Sequence, residues 1–267
     1  MKTLFDKDTW QEIFSSIEQN KVRTIITVIG VLWGIFLYIV LSGAAKGIDN
    51  GFERQFERIS SNSLFVWGEA TSVPYEGFKT GRWINFKLSD VTALKNRIPE
   101  IQHIAPRNSS GIFSGSKAQL VNGQKKGSYN IYGDFPIYTT ISTVTIYDGG
   151  RFINESDIKA KRKVCVIGER TQQELFNEGE SPIGKFVRIN GIHFRIIGVT
   201  KFVDGGGFGD DGDIFIPFTT YQRLYNTGEY VDFLLVAAYP TADIVQVETN
   251  IRAILKELHH VSPEDKR

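Results

Sequence analysis

Residues 179–186 read GESPIGKF. Gly179, four intervening residues, Gly184 and Lys185 match a phosphate-binding loop up to its last position. In such a loop the backbone N–H groups cradle phosphate, the lysine reaches the outer phosphates, and a final Ser or Thr holds Mg²⁺. Phe186 stands where that hydroxyl is needed, so the metal ligand is missing. The flanks disagree too, because a phosphate loop follows a strand and opens a helix whose N-terminus attracts the anion. Here Glu169–Phe176 has helical character, and FVRINGIHFRIIGV (186–199) alternates around Asn190-Gly191. Asn-Gly between alternating runs signals a β-hairpin. Lys185 is therefore expected to lead into a hairpin and not to bind nucleotide.

Other candidate chemistry is thin. The run DGGGFGDDGD (204–213) carries Asp204, Asp210, Asp211 and Asp213. A calcium loop needs ligands at alternate positions, a glycine sixth and a glutamate twelfth. That spacing is absent, and the expectation is a surface loop. His103, His193, His259 and His260 form no zinc-ligand spacing, and the last two read as solvated helix ends. Cys165 lies in KVCVIG, an apolar run that reads as a buried strand, where a thiol acts as a small apolar side chain. It is the one cysteine, so no internal disulfide can form. No G-x-S-x-G or Cys–His arrangement marks a hydrolase. The net charge of +1, with scattered basic residues, gives nucleic-acid binding no support. The expectation is a chain with no catalytic residue, no metal site and no cofactor.

The elements around these residues say more. Thr24–Ala45 is 22 residues without a charge. As a helix rising ~1.5 Å per residue it is roughly 33 Å long, matching a hydrocarbon core of about 30 Å. A cleaved signal has a shorter apolar run, so an uncleaved anchor is expected. Lys21 and Arg23 at its start favour a cytoplasmic N-terminus and an exported C-terminal domain. Before the span, Thr9 and Glu12 fit a capping box. Trp10, Ile13, Phe14 and Ile17 then form one stripe of an interfacial helix over 9–19. After it, Ile48, Phe52, Phe56 and Ile59 continue the helical pattern as a stalk to about residue 60, with an apolar stripe that asks for a partner.

From Leu64 the pattern turns to strands. LFVWG (64–68), a helix DVTALKNRI (90–98) capped by Ser89, and IQHIAP (101–106) suggest a β–α–β unit. Asn122-Gly123 offers a second hairpin. IFIP (214–217), a helix from Thr219, DFLLVAAY (232–239) and a helix over Asp243–Leu258 suggest another unit. The fold class is α+β: an interfacial helix, one transmembrane helix continuing as a stalk, then β–α–β units with an inserted hairpin-rich β portion.

Five stretches, in order, carry a family likeness: NKVRTIITVIGVLWG (20–34), GGRFINESDI (149–158), KVCVIGERTQQELF (163–176), SPIGKFVRINGIHFRIIGV (181–199) and DIFIPFTTYQR (213–223). Together they resemble the permease chains of MacB-type ABC transporters, within the FtsX-like permease superfamily, across about 10–258. In that family a Pro-Ile-Gly-Lys stretch leads into the hairpin ending in Ile-Gly-Val. The resemblance implies a cytoplasmic helix (1–21), a transmembrane helix and stalk (22–60), and a periplasmic core domain (61–258). The outer part of that domain would be 61–112 and 214–258, its insertion 113–213, and a second stalk would begin at 259–267. It also implies a bacterial inner-membrane location, an ABC ATPase subunit as partner, a second permease copy or homologue, and possible adaptor and outer-membrane components. The function implied is coupling of a partner's ATP hydrolysis to movement of the exported domain. No apolar run of 18 residues follows Ala45, so a piece of a longer permease, or a chain whose other spans are supplied separately, is expected. The rival reading is a singly anchored sensor or binding domain.

Overall fold

The computed structural model describes residues 11, 17, 18, 20–56, 62–111, 115–201 and 210–266. The chain divides into two units, Met1–Arg54 and Gln55–Arg267. Helix α1 spans Lys21–Phe56, all but its last two residues in the first unit. Its segment Lys21–Asn50 is long and apolar enough to cross a membrane. The hydroxyls of Thr24 and Thr27 donate to the carbonyls of Asn20 (3.2 Å) and Arg23 (2.9 Å). They so meet their hydrogen-bonding needs within the helix, as hydrocarbon requires. The interfacial helix expected over 9–19 lies mostly outside the described residues, as do Ile59 and the end of the expected stalk.

The second unit is built on strands β1 (Ser63–Trp67), β2 (Phe86–Lys87), β3 (Ile101–Ser110), β4 (Ala118–Asn122), β5 (Lys125–Tyr129), β6 (Ile131–Asp134), β7 (Val164–Gly168), β8 (Phe186–Ile189), β9 (Ile192–Thr200), β10 (Ile214–Pro217), β11 (Tyr230–Val231) and β12 (Phe233–Ala238). Its helices are α2 (Leu88–Arg97), α3 (Tyr138–Ile141), α4 (Glu155–Lys159), α5 (Glu169–Leu175), α6 (Phe218–Tyr225) and α7 (Ile244–Leu258). Ten strands form one sheet in the order β1-β12-β3-β6-β10-β7-β9-β8-β4-β5, and β11 pairs with β2. The mixed α+β class follows.

Chain order and spatial order differ at two places. Strand β12 lies antiparallel between β1 and β3, with Val236 facing Leu64 on one side and Ile104 on the other. The β–α–β unit read from 64–106 is thus split by a strand from the far end of the chain. Strand β10 likewise enters between β6, to which it is parallel, and β7, to which it is antiparallel. Every residue of β12 is buried, which explains why FLLVAA reads as a continuous apolar run and not an alternating one. One apolar core gathers Leu94, Ile104, Leu234, Val236, Ile251 and Leu255. A second gathers Leu120, Tyr129, Cys165, Leu175, Phe194 and Ile196.

Three local readings change. Helix α2 begins at Leu88, so Ser89 sits inside its first turn and does not cap it. The Asp90 carboxylate instead accepts the Lys87 N–H at 2.8 Å. Strand β3 runs on past Pro106 to Ser110. In the first hairpin Asn122 pairs with Lys125, leaving Gly123-Gln124 as the turn. The Asn122 amide is free to hold the Leu175 carbonyl at the end of α5, at 2.9 Å. The second hairpin fits its reading: Ile189 pairs with Ile192, and Asn190 (φ 46°) and Gly191 (φ 84°) both take the left-handed backbone a type I′ turn needs.

Where β3 meets β6, Arg107 and Asp134 form a buried pair, Nε to Oδ1 at 2.5 Å and Nη2 to Oδ2 at 2.9 Å. The guanidinium lies over the rings of Tyr138 (3.9 Å) and Tyr132 (4.4 Å). A planar cation fits a slot between aromatic faces while keeping its fork on a carboxylate.

Candidate functional site

The GESPIGKF stretch builds a turn into β8. Gly184 (φ 86°) donates its N–H to the Ile196 carbonyl at 2.8 Å, and Lys185 N donates to the Pro182 carbonyl at 3.1 Å. A strand follows, so no helix N-terminus faces the loop. The Lys185 ammonium is paired with Glu180, whose carboxyl it holds below its ordinary range. Lys185→Ala is therefore expected to leave ATP binding by the full chain at background, measured by isothermal calorimetry. A saturable heat lost on that substitution would restore the nucleotide reading.

The acidic run does not converge on one point. Asp204 lies outside the described residues. Asp210 and Asp211 clasp Arg170, at 2.6 Å and 2.5 Å. Asp213 turns inward, 1% exposed, accepting from Asn130 Nδ2 at 3.0 Å and from Asp210 N at 2.7 Å. Burial pushes its carboxyl up to about 7. Among the described residues no group of three or more His, Cys, Asp or Glu is placed to hold a metal ion. Cys165 is fully buried in β7, and burial pushes its thiol up, away from the reactive thiolate.

A groove of about 420 Å³ is lined by Leu64 and Val66 of β1, Ile84, Phe86, Ile251 and Leu255 of α7, and Val261. Three elements position these groups. Strand β1 supplies one wall. Residues 69–84 fold back beside it as a ribbon, with Thr71 N donating to Arg82 O at 2.9 Å and Ile84 N to Glu69 O at 3.1 Å. The third is α7, started by Asp243, whose carboxylate accepts from Val245 N at 3.0 Å; the helix presents Val247, Ile251 and Leu255 inward. Gly68 is required here, because a Cβ would stand 1.9 Å from the Ile84 carbonyl oxygen.

The segment after α7 closes one end of the groove. Residues 259–266, read above as the start of a second stalk, contain no helix. His259, read as solvated, is mostly covered, whereas His260 is exposed as read; both find carboxylate partners. His259 Nε2 lies 2.8 Å from Asp90 Oδ2, and His260 Nδ1 lies 2.6 Å from Glu76 Oε2. Arg82 Nη2 donates to the carbonyls of both histidines, at 2.6 Å and 2.9 Å, and stacks over Phe78 at 4.1 Å. Asp265 is buried and accepts from Ser72 N (2.7 Å), Ser72 Oγ (2.7 Å) and Val73 N (3.2 Å). Sequence reading missed Arg82, Ser72 and Asp265, since partners some 177–193 positions apart leave no local pattern. Asp265→Ala strands backbone donors at Ser72 and Val73. It is expected to cost about 1–3 kcal/mol and to speed amide exchange at 71–73, read by hydrogen-exchange mass spectrometry of the full chain.

The comparisons with known proteins agree with one another. The profile of the MacB-like periplasmic core domain matches residues 24–254. The macrolide export ATP-binding/permease protein MacB of Bdellovibrio bacteriovorus is 29% identical over 250 residues, covering 93% of this chain and 37% of that protein. The pyoverdine export ATP-binding/permease protein PvdT of Pseudomonas syringae pv. syringae is 27% identical over 267 residues, covering 95% and 38%. The chain thus spans little more than a third of the curated relatives it matches. Among solved structures, the periplasmic region of MacB from Actinobacillus actinomycetemcomitans superposes with a TM-score of 0.60 at 24% identity, over 76% of this chain and 86% of that one. The extracellular domain of the noncanonic ABC-type transporter YknZ from Gram-positive bacteria also gives 0.60, at 16% identity, over 74% and 96%.

Proposed function

We propose, from the premise that this chain belongs to the family of MacB-like periplasmic core domains, that it couples a partner's ATP hydrolysis to movement of a domain outside the membrane. On this reading it is the N-terminal part of an ABC transporter permease in a bacterial inner membrane. Helix α1 crosses the bilayer with its N-terminus in the cytoplasm. The periplasmic domain has an outer portion (61–112 and 214–258) and an inserted portion (113–213). ATP is bound and hydrolysed by an ABC ATPase subunit, and two permease copies or homologues work as a pair. The permease itself carries no catalytic residue, metal or cofactor and acts as a mechanical link.

One observation carries the reading. The strand by which the chain enters the domain, β1, and the last described segment, Val261–Lys266, line the same groove. Tension between the two ends would therefore be borne locally, by Asp265 on Ser72 and Val73 and by Arg82 on the two histidine carbonyls. A domain loaded this way moves as a unit when its roots move.

The test uses the complete permease with its ATPase subunit in nanodiscs. Cys165 is buried, so within this chain Thr80→Cys, on the exposed part of the ribbon, supplies the reactive site for a spin label, any cysteine elsewhere in the permease being replaced by serine. Pulsed electron resonance is expected to show the distance between the labels of two copies shifting by several ångströms when ATP and vanadate are added. An unchanged distance while the ATPase turns over would sink the mechanical reading.

A further inference from the structure

We propose that the open face of β9, β8, β4 and β5 is a docking surface for an acidic segment of a partner protein, one that also carries an apolar side chain. This goes beyond the permease reading and does not depend on it. Alternation puts Val187, Ile189, Phe194 and Ile196 into the second core and their neighbours on the other side of the sheet. Register then sets Phe186 opposite Arg195, Arg188 opposite His193, and Val121 between Arg188 and Lys126. Phe186 is 62% exposed; Arg188, His193, Arg195 and Lys126 are exposed too. Phe186 is the residue that spoils the phosphate-loop match, and its place on this face gives the substitution a use.

The charge on this face is one-sided. None of β4, β5, β8 and β9 contains an Asp or Glu. Among the described residues Lys126, Arg188 and Arg195 enter no ion pair. Elsewhere on the domain Arg97, Arg151, Arg170 and Arg252 are paired with carboxylates, which these strands do not supply. An unneutralised cationic rim around an exposed phenylalanine and a half-buried valine has the anatomy of a protein interface, with an apolar centre and a polar border. Arginine and aromatic residues are also the types that carry most binding energy at such surfaces. A plain polyanion would use the cations and leave Phe186 idle. Four strands about 4.8 Å apart, with β9 contributing its four residues paired to β8 and the others four or five residues long, give a patch roughly 15 Å on a side. That is below a standard interface, so the contact is weak, transient and salt-sensitive.

The test is fluorescence anisotropy of the full chain in detergent, with two labelled probes: a dodecapeptide of glutamates interrupted by two leucines, and its all-glutamate counterpart. The leucine-containing probe is expected to bind several-fold tighter than the counterpart. It should weaken at least about tenfold between about 50 mM and about 300 mM salt. Arg188→Glu/Arg195→Glu, with folding checked by circular dichroism, should lose binding more than about tenfold. Phe186→Ser should erase only the difference between the two probes. Absence of binding, binding indifferent to the charge reversal, or heparin or an oligonucleotide binding tighter and ignoring Phe186→Ser would each overturn the assignment. None of these outcomes touches the label-distance test of the permease reading.

Discussion

Asp134→Ala is expected to destabilise the folded domain by about 3–5 kcal/mol, a large share of the 5–15 kcal/mol that holds a typical domain together. The carboxylate is fully buried and Arg107 is 5% exposed. With the anion gone, the guanidinium keeps its charge but has no counterion, and it cannot escape. Tyr132, Tyr138 and Phe233 surround it at 4.4, 3.9 and 5.3 Å. Arg107→Met/Asp134→Leu removes both charges and fills the slot, and is expected to recover most of the loss. The measurement is urea unfolding of the full chain in detergent, followed by tryptophan fluorescence. A single-variant cost below about 1 kcal/mol would mean that water reaches the pair.

Asp213 supplies the second large effect, and its signature is pH. Its carboxyl is pushed up to about 7 by burial, against an ordinary aspartate near 4 in the unfolded chain. Between those values the folded domain keeps a proton that the unfolded chain has released. Stability therefore falls as pH rises, by about 1.4 kcal/mol per pH unit, and levels off above about 7. The charged groups facing it do not titrate in that window. Asp210 is held down to about 2 by the hydrogen bonding of its carboxylate to Asp211 and Arg170, and Arg107 stays charged. Asp213→Asn keeps the bond from Asn130 and loses one accepted bond, a pH-independent contribution of about 1 kcal/mol, while removal of the titrating carboxyl makes its net effect vary with pH. Its diagnostic effect is a flattened slope between pH 5 and 7 in urea unfolding. A variant that unfolds with the same slope as the parent would show that another group titrates there.

Features set by neighbouring residues could be read from the sequence, and those set by distant ones could not. Asn190-Gly191 announced its turn because both positions need positive φ. Cys165 announced a buried strand because apolar residues flank it on both sides. Thr24–Ala45 announced a helix able to span a bilayer because length and lack of charge suffice. The Asn122 turn was misplaced by one residue, since the Asn amide is recruited by α5, which the local pattern does not contain. Ser89 looked like a cap because serine usually is one, while Asp90 one position later does the work. His259 looked solvated because Asp90, which covers it, lies about 170 positions away, while the exposed His260 was read correctly. The strand order, with β12 inside an early unit, is long-range in the same sense and could not be inferred from periodicity.

That interleaving bears on how the protein is made. Strands β1, β3, β6 and β7 have no complete set of neighbours until residues 214–238 arrive. A nascent chain threaded outward from its amino end would carry unsatisfied strand edges for most of its passage, and such edges invite misassociation. Maturation of the domain would then be all-or-none, triggered by the arrival of residues 214–238. Truncations ending before Ala238 should yield chaperone clients and proteolytic debris, with no smaller stable core.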